Sequence, residues 1–140
     1  MIEKKPKIAI SIGDLNGIGI EIALKCHEKI SKICTPIYCI NNKMLKLASE
    51  ELKIQIPNDF EIFKTKGEFE IKPGIVSKKS GRYSYDSFMD AINLAKNNEV
   101  DAICTLPINK EAWNKANIKY KGHTEVLRDY FGKNAIMMLG

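Results

Sequence analysis

The chain has 140 residues, 44% of them hydrophobic, with 22 Lys and Arg against 17 Asp and Glu for a net charge of +5. This is one domain's worth of chain with enough apolar residues to bury a core. The charges are scattered rather than gathered into a basic stripe with stacking aromatics, which argues against nucleic-acid binding, and the apolar runs are far shorter than the roughly 20 residues of a membrane span.

The N-terminal Met1-Ile-Glu-Lys-Lys-Pro6 leads into the first apolar run without a signal-peptide core, so the expected location is the cytoplasm. Residues 7–12 read as a buried strand, and the loop Gly13-Asp14-Leu-Asn-Gly17-Ile-Gly19 follows. Ile20, Ala23, Leu24 and His27 then recur at helical spacing, giving a helix over 20–30. A strand over 36–40 and a helix over 42–52 continue the alternation, which predicts an α/β fold with a largely parallel sheet. Residues 54–80 are ambiguous; 61–63 and 69–71 read as short strands between Pro57, Gly67, Pro73 and Gly74. Ser84 has the side chain to cap a helix running to 97.

The glycine loop does not satisfy the dinucleotide fingerprint. From Gly17 the pattern runs Gly-x-Gly-x-x-Ile, without the third glycine that lets helix and strand approach closely. No Gly-Lys-Ser/Thr follows, so a Walker-type loop is excluded too, and a tight strand-to-helix turn is the reading of the residues alone. Cys26, Cys34, Cys39 and Cys104 form no Cys-x-x-Cys pair and lie among apolar neighbours, so four buried thiols are expected rather than zinc or disulfides.

The C-terminal third carries the densest set of reactive and turn-forming side chains. Residues 101–106 read as a buried strand stopped by Pro107, which places Asn109 and Lys110 in a loop at a strand end, where α/β sheets hold ligands. After a short helical spacer, Gly122 is expected to turn the backbone tightly and Thr124 to cap a helix over 125–131. His123 then stands at a helix entrance, where free amides and the helix dipole favour phosphate or carboxylate. The lysines from Lys110 to Lys133 read for the most part as a solvated surface, with a bias of the local field toward a phosphorylated substrate as their weaker use. Residues 133–139 read as one more strand.

Thr105-x-Pro-Ile-Asn-Lys110, the spacer, and Gly122-His-Thr-Glu125 resemble the 4-hydroxythreonine-4-phosphate dehydrogenase family of pyridoxal phosphate biosynthesis. Near its N-terminus that family carries Gly-Asp-Pro-x-Gly-Ile-Gly-Pro-Glu; here the loop is Gly13-Asp-Leu-Asn-Gly-Ile-Gly-Ile-Glu21, with Leu15 and Ile20 in place of two prolines. The resemblance implies an α/β, isocitrate/isopropylmalate dehydrogenase-like fold in a homodimeric enzyme with two domains per subunit, of which residues 1–140 are the N-terminal α/β portion. It implies NAD or NADP, a divalent metal (zinc, magnesium or cobalt) with ligands beyond residue 140, and a phosphorylated amino-acid substrate. The implied reaction oxidises 4-phosphooxy-threonine, and decarboxylation then gives 3-amino-2-oxopropyl phosphate. By the same resemblance His123 and Thr124 contact the substrate, while Gly13, Asp14, Gly17, Gly19, Asn109 and Lys110 are site candidates by position. With only His27 and His123 in the sequence, the chain alone is expected to be inactive and to lack a specific metal site. A dehydrogenase for another phosphorylated sugar acid, such as phosphorylated threonate or erythronate, and a non-catalytic binding or dimerisation module are the alternatives.

Overall fold

The computed structural model describes residues 4–132. Its strands β1 (Lys7–Ser11), β2 (Thr35–Cys39), β3 (Ile62–Phe63) and β4 (Ala102–Thr105) form one parallel sheet in the order β3-β2-β1-β4. Helices α1 (Gly19–Ile30) and α2 (Asn42–Leu52) make the first two crossovers. Helix α3 (Lys78–Lys96) precedes β4, and α4 (Lys110–Lys115) and α5 (His123–Phe131) follow it. The alternating β and α elements and the parallel pairing agree with the α/β expectation.

Period-two alternation divides the core between the two faces of the sheet. Ile8 and Ile10 of β1, with Tyr38 of β2, pack against Ile20, Ala23 and Leu24 of α1 and Met44, Leu45 and Ala48 of α2. Ala9 and Cys39 face the other way, onto Ala91 and Leu94 of α3. A third cluster, built from Phe88, Ile92, Trp113, Ala116, Ile118 and Val126, joins α3 to α4 and α5. Ser87 ties the layers together at the carboxyl end of the sheet: its Oγ accepts from the Ile12 amide at 2.9 Å and donates to the Cys39 carbonyl at 2.6 Å.

Several elements differ from the sequence expectation. Helix α3 starts two turns before Ser84, because Ser77 is the cap and accepts from the Ser80 amide at 3.1 Å. Residues 69–71 form no strand; Phe69 is instead buried against Tyr83, ring centroids 5.6 Å apart. Helix α5 begins at His123, so Thr124 lies inside it and the N-cap is Gly122, which has no side chain to cap with. Gly122 is extended, φ 179°, rather than folded in a tight turn. Only Cys39 is fully buried: Cys26 and Cys104 are exposed and Cys34 is half-buried. Cys104 lies on β4, an edge of the sheet among the described residues, which is why its apolar neighbours in sequence did not bury it. The expected strand over 133–139 lies outside the described residues. No helix among the described residues is long and apolar enough to cross a membrane.

Candidate active site

Strands β1 and β4 are adjacent and parallel, so the loops that follow them emerge from the same end of the sheet. They are joined there: the Asp14 amide donates to the Pro107 carbonyl at 2.9 Å. Gly13 has φ 70°, and a Cβ on it would collide with the Pro107 carbonyl oxygen, so this position needs glycine twice over. A Cβ on Gly19 would crowd Leu106 at 3.0 Å. These two glycines serve the contact between loops, and protein rather than ligand fills the space beside them.

Asp14, Gly17 and Asn109 do share a cleft, of about 260 Å³, with Asn16, Ile75 and Pro107. Asp14 is 5% exposed. One carboxylate oxygen accepts from the Asn16 amide at 2.8 Å and the other from the Ser80 hydroxyl at 3.5 Å. Burial raises its pKa, and these two hydrogen bonds oppose the rise. Asn16 pins the far wall, donating to the Ile75 carbonyl and accepting from the Lys72 amide. Asn109 caps α4, its Oδ1 accepting from the Ala112 amide at 2.9 Å.

One residue on from Asn109, Lys110 turns toward the second part of the site. Its Cε would lie 3.7 Å from a Cβ on Gly122, the residue before α5. His123 is 7% exposed and sits edge-on to Phe88 of α3, at 4.7 Å, and to Trp113 of α4, at 5.9 Å. Its Nε2 is buried and has no hydrogen-bond partner among the described residues. Burial, with the Lys110 charge adding to it, lowers the His123 pKa to about 4, so the ring is neutral near pH 7. Glu125 reaches back to accept from the Lys121 amide at 2.9 Å, while the N-cap Gly122 has no side chain to give and the first-turn amides of α5 receive no side-chain cap among the described residues.

A buried imidazole nitrogen without a partner, an uncapped helix start and a lysine beside them suit one kind of guest: an anion or a polar group that donates to or accepts from a neutral ring. They do not suit a metal. His123 is the site's one imidazole, Lys110 adds a positive charge next to it, and no group of three or more His, Cys, Asp and Glu side chains among the described residues could hold an ion. Nor does the glycine loop offer a phosphate cradle for a dinucleotide, since Gly13 and Gly19 face Leu106 and Pro107. Sequence reasoning placed His123, Lys110 and Asp14 at one end of the sheet but missed Phe88 and Trp113, which wall the imidazole, and Ser84, which holds Trp113. The single Trp of the chain, so close ahead of the His, was the available signal.

Residues 32–140 match the family described as pyridoxal phosphate biosynthetic protein PdxA. The 4-hydroxythreonine-4-phosphate dehydrogenase of Sulfurimonas denitrificans is 59% identical over 136 residues, which are 97% of this chain and 44% of the relative. That of Campylobacter fetus subsp. fetus is 60% identical over 135 residues, again 44% of the relative. The crystal structure of a 4-hydroxythreonine-4-phosphate dehydrogenase from Burkholderia phymatum superposes with a TM-score of 0.81 at 27% identity, covering 93% of this chain and 44% of that one. The chain thus spans less than half the length of the curated relatives it matches, and it forms part of the isocitrate/isopropylmalate dehydrogenase-like fold.

Proposed function

The chain belongs to the PdxA family of pyridoxal phosphate biosynthetic proteins, and from that premise we propose that His123, Thr124 and Lys110 hold the phosphorylated substrate of a dehydrogenase. The proposed reaction is oxidation of 4-phosphooxy-threonine with NAD or NADP, followed by loss of carbon dioxide to give 3-amino-2-oxopropyl phosphate. In this reading residues 1–140 are the N-terminal α/β portion of a cytoplasmic, homodimeric enzyme. The metal ligands and most nucleotide contacts belong to the portion of family-length chains that this sequence does not include.

The observation that carries the reading is the buried Nε2 of His123, which has no partner among the described residues. Leaving such an atom unpaired costs on the order of 1–3 kcal/mol, which a ligand atom in hydrogen-bond reach offsets. Because the ring is neutral near pH 7, it contributes a directed hydrogen bond or accepts a proton, and does not add charge. Positive potential for the anionic substrate comes from Lys110 and from the free amides at the start of α5. Thr124, half-buried in the first turn, adds a hydroxyl that can donate or accept. Asp14, with Gly17 and Asn109, lines the neighbouring cleft and suits a hydrogen-bonding, donor-rich part of the substrate or cofactor.

The test is nicotinamide reduction by a family-length enzyme carrying this sequence, with 4-phosphooxy-threonine, phosphorylated threonate and phosphorylated erythronate offered separately. Preference for 4-phosphooxy-threonine is expected. Preference for a sugar acid would keep the site and replace the substrate, and no turnover with any phosphorylated hydroxy acid would overturn the reading.

A further inference from the structure

The His123 ring owes its setting to a relay that starts elsewhere. A Cβ on Gly81 of α3 would collide with the Ala112 carbonyl of α4, so at this point the two helices are in backbone contact. Beside that contact, the Trp113 indole N–H donates to the Ser84 hydroxyl at 2.8 Å, and Ser84 donates to the Gly81 carbonyl at 2.9 Å. Trp113 and Phe88 are both fully buried, and Tyr85 meets the Trp113 ring edge-on at 5.5 Å. The indole therefore has one orientation available to it, and the His123 ring packs on it and on Phe88.

We propose that Trp113, locked by Ser84 and by the close α3–α4 contact at Gly81, is a positioning residue that fixes the orientation of the His123 imidazole and keeps water off it. The proposal takes His123 as the substrate contact and so rests on the reading above. It explains why a serine, neutral at best in a helix interior, lies buried in the middle of α3: its hydroxyl terminates the indole hydrogen bond. It also explains the tight glycine contact, since any side chain at 81 would push α4 outward and carry both Trp113 and Lys110 with it. The lowered His123 pKa fits a ring dried by these walls, with Lys110 its charged neighbour.

The test is histidine ring NMR on the ligand-free chain, which needs neither substrate nor turnover. Only two histidines are present, and His27, packed in the other core with Tyr38 and Phe60, reports on the fold independently. For Trp113→Phe the His123 titration midpoint is expected to rise from about 4 toward 6.5 by about one pH unit, with the His27 resonances unmoved. Ser84→Ala is expected to shift it in the same direction by less, and Ser84→Thr, which keeps the hydroxyl, to restore it. If Trp113→Phe disturbs His27 as well, the fold has been lost and the two Ser84 variants decide. A His123 midpoint unchanged in Ser84→Ala, with the fold intact, would overturn the proposal. Because the readout omits substrate, it can succeed even if the dehydrogenase assay fails, and the reverse.

Discussion

The two histidines of this chain are both buried and sit in the first and last long helices, yet their environments are opposite. His27 is 1% exposed, and both its ring nitrogens have partners: Nδ1 lies 2.8 Å from the Tyr38 hydroxyl and Nε2 2.9 Å from an Asp59 carboxylate oxygen. Phe60 stacks on Tyr38 at 3.8 Å and encloses the group. His123 is walled by aromatic rings in the same way, but its Nε2 has no partner among the described residues and a lysine stands beside it. Burial alone therefore does not tell an imidazole fully used by the fold from one with a nitrogen left for a ligand. The completeness of the hydrogen bonding does, because a saturated imidazole has nothing left to offer a ligand.

The largest effect expected from breaking this contrast is on catalysis. His123→Ala in a family-length enzyme should lower turnover by about 10²-fold, the scale of one lost hydrogen-bonding or acid-base group, whereas His27→Phe should leave turnover near that of the parent; steady-state kinetics read both. Acid stability comes next. His123 has its pKa lowered from 6.5 to about 4 on folding, so the unfolded state binds the extra proton between those values. The contribution is intact above pH 6.5 and is lost as the pH falls toward 4, reaching about 2 kcal/mol by pH 5. Urea unfolding across that range should show the slope in the parent and a flatter one in His123→Gln.

His27→Phe keeps a ring in place but strips the buried Tyr38 hydroxyl of its partner, for a predicted loss of about 1–2 kcal/mol in denaturant midpoint measurements. Asp59→Asn is the mildest change. The Asp59 side chain is 71% exposed, and its replacement should cost less than about 1 kcal/mol.

How much of this was readable beforehand depends on whether the deciding contact is local. Helix α2 was legible at both ends, since Asn41 sits directly before the apolar repeat and caps it through the Met44 amide. The start of α3 was not. Ser77, Ser80, Ser84 and Ser87 can all cap, and the last three are buried by contacts with Asp14, Trp113 of α4 and the end of the sheet, which no local pattern encodes. Likewise the burial of Cys39 and the exposure of Cys104 follow from central and edge positions in the sheet of the described residues, a property of topology rather than of neighbours in sequence. At the candidate site, local residues gave the place of His123 at a helix start and of Asp14 and Asn109 at strand ends. The walls that dry the imidazole come from α3 and α4, and Thr124 lost its expected capping role because α5 begins one residue before it.

The central claim is that the open nitrogen of His123 is completed by the phosphorylated substrate. Histidine ring NMR of a family-length enzyme, titrated with 4-phosphooxy-threonine, tests it most directly. The expected result is a saturable change in the His123 ring resonances with those of His27 stationary. Saturable binding that leaves His123 unmoved would contradict the claim.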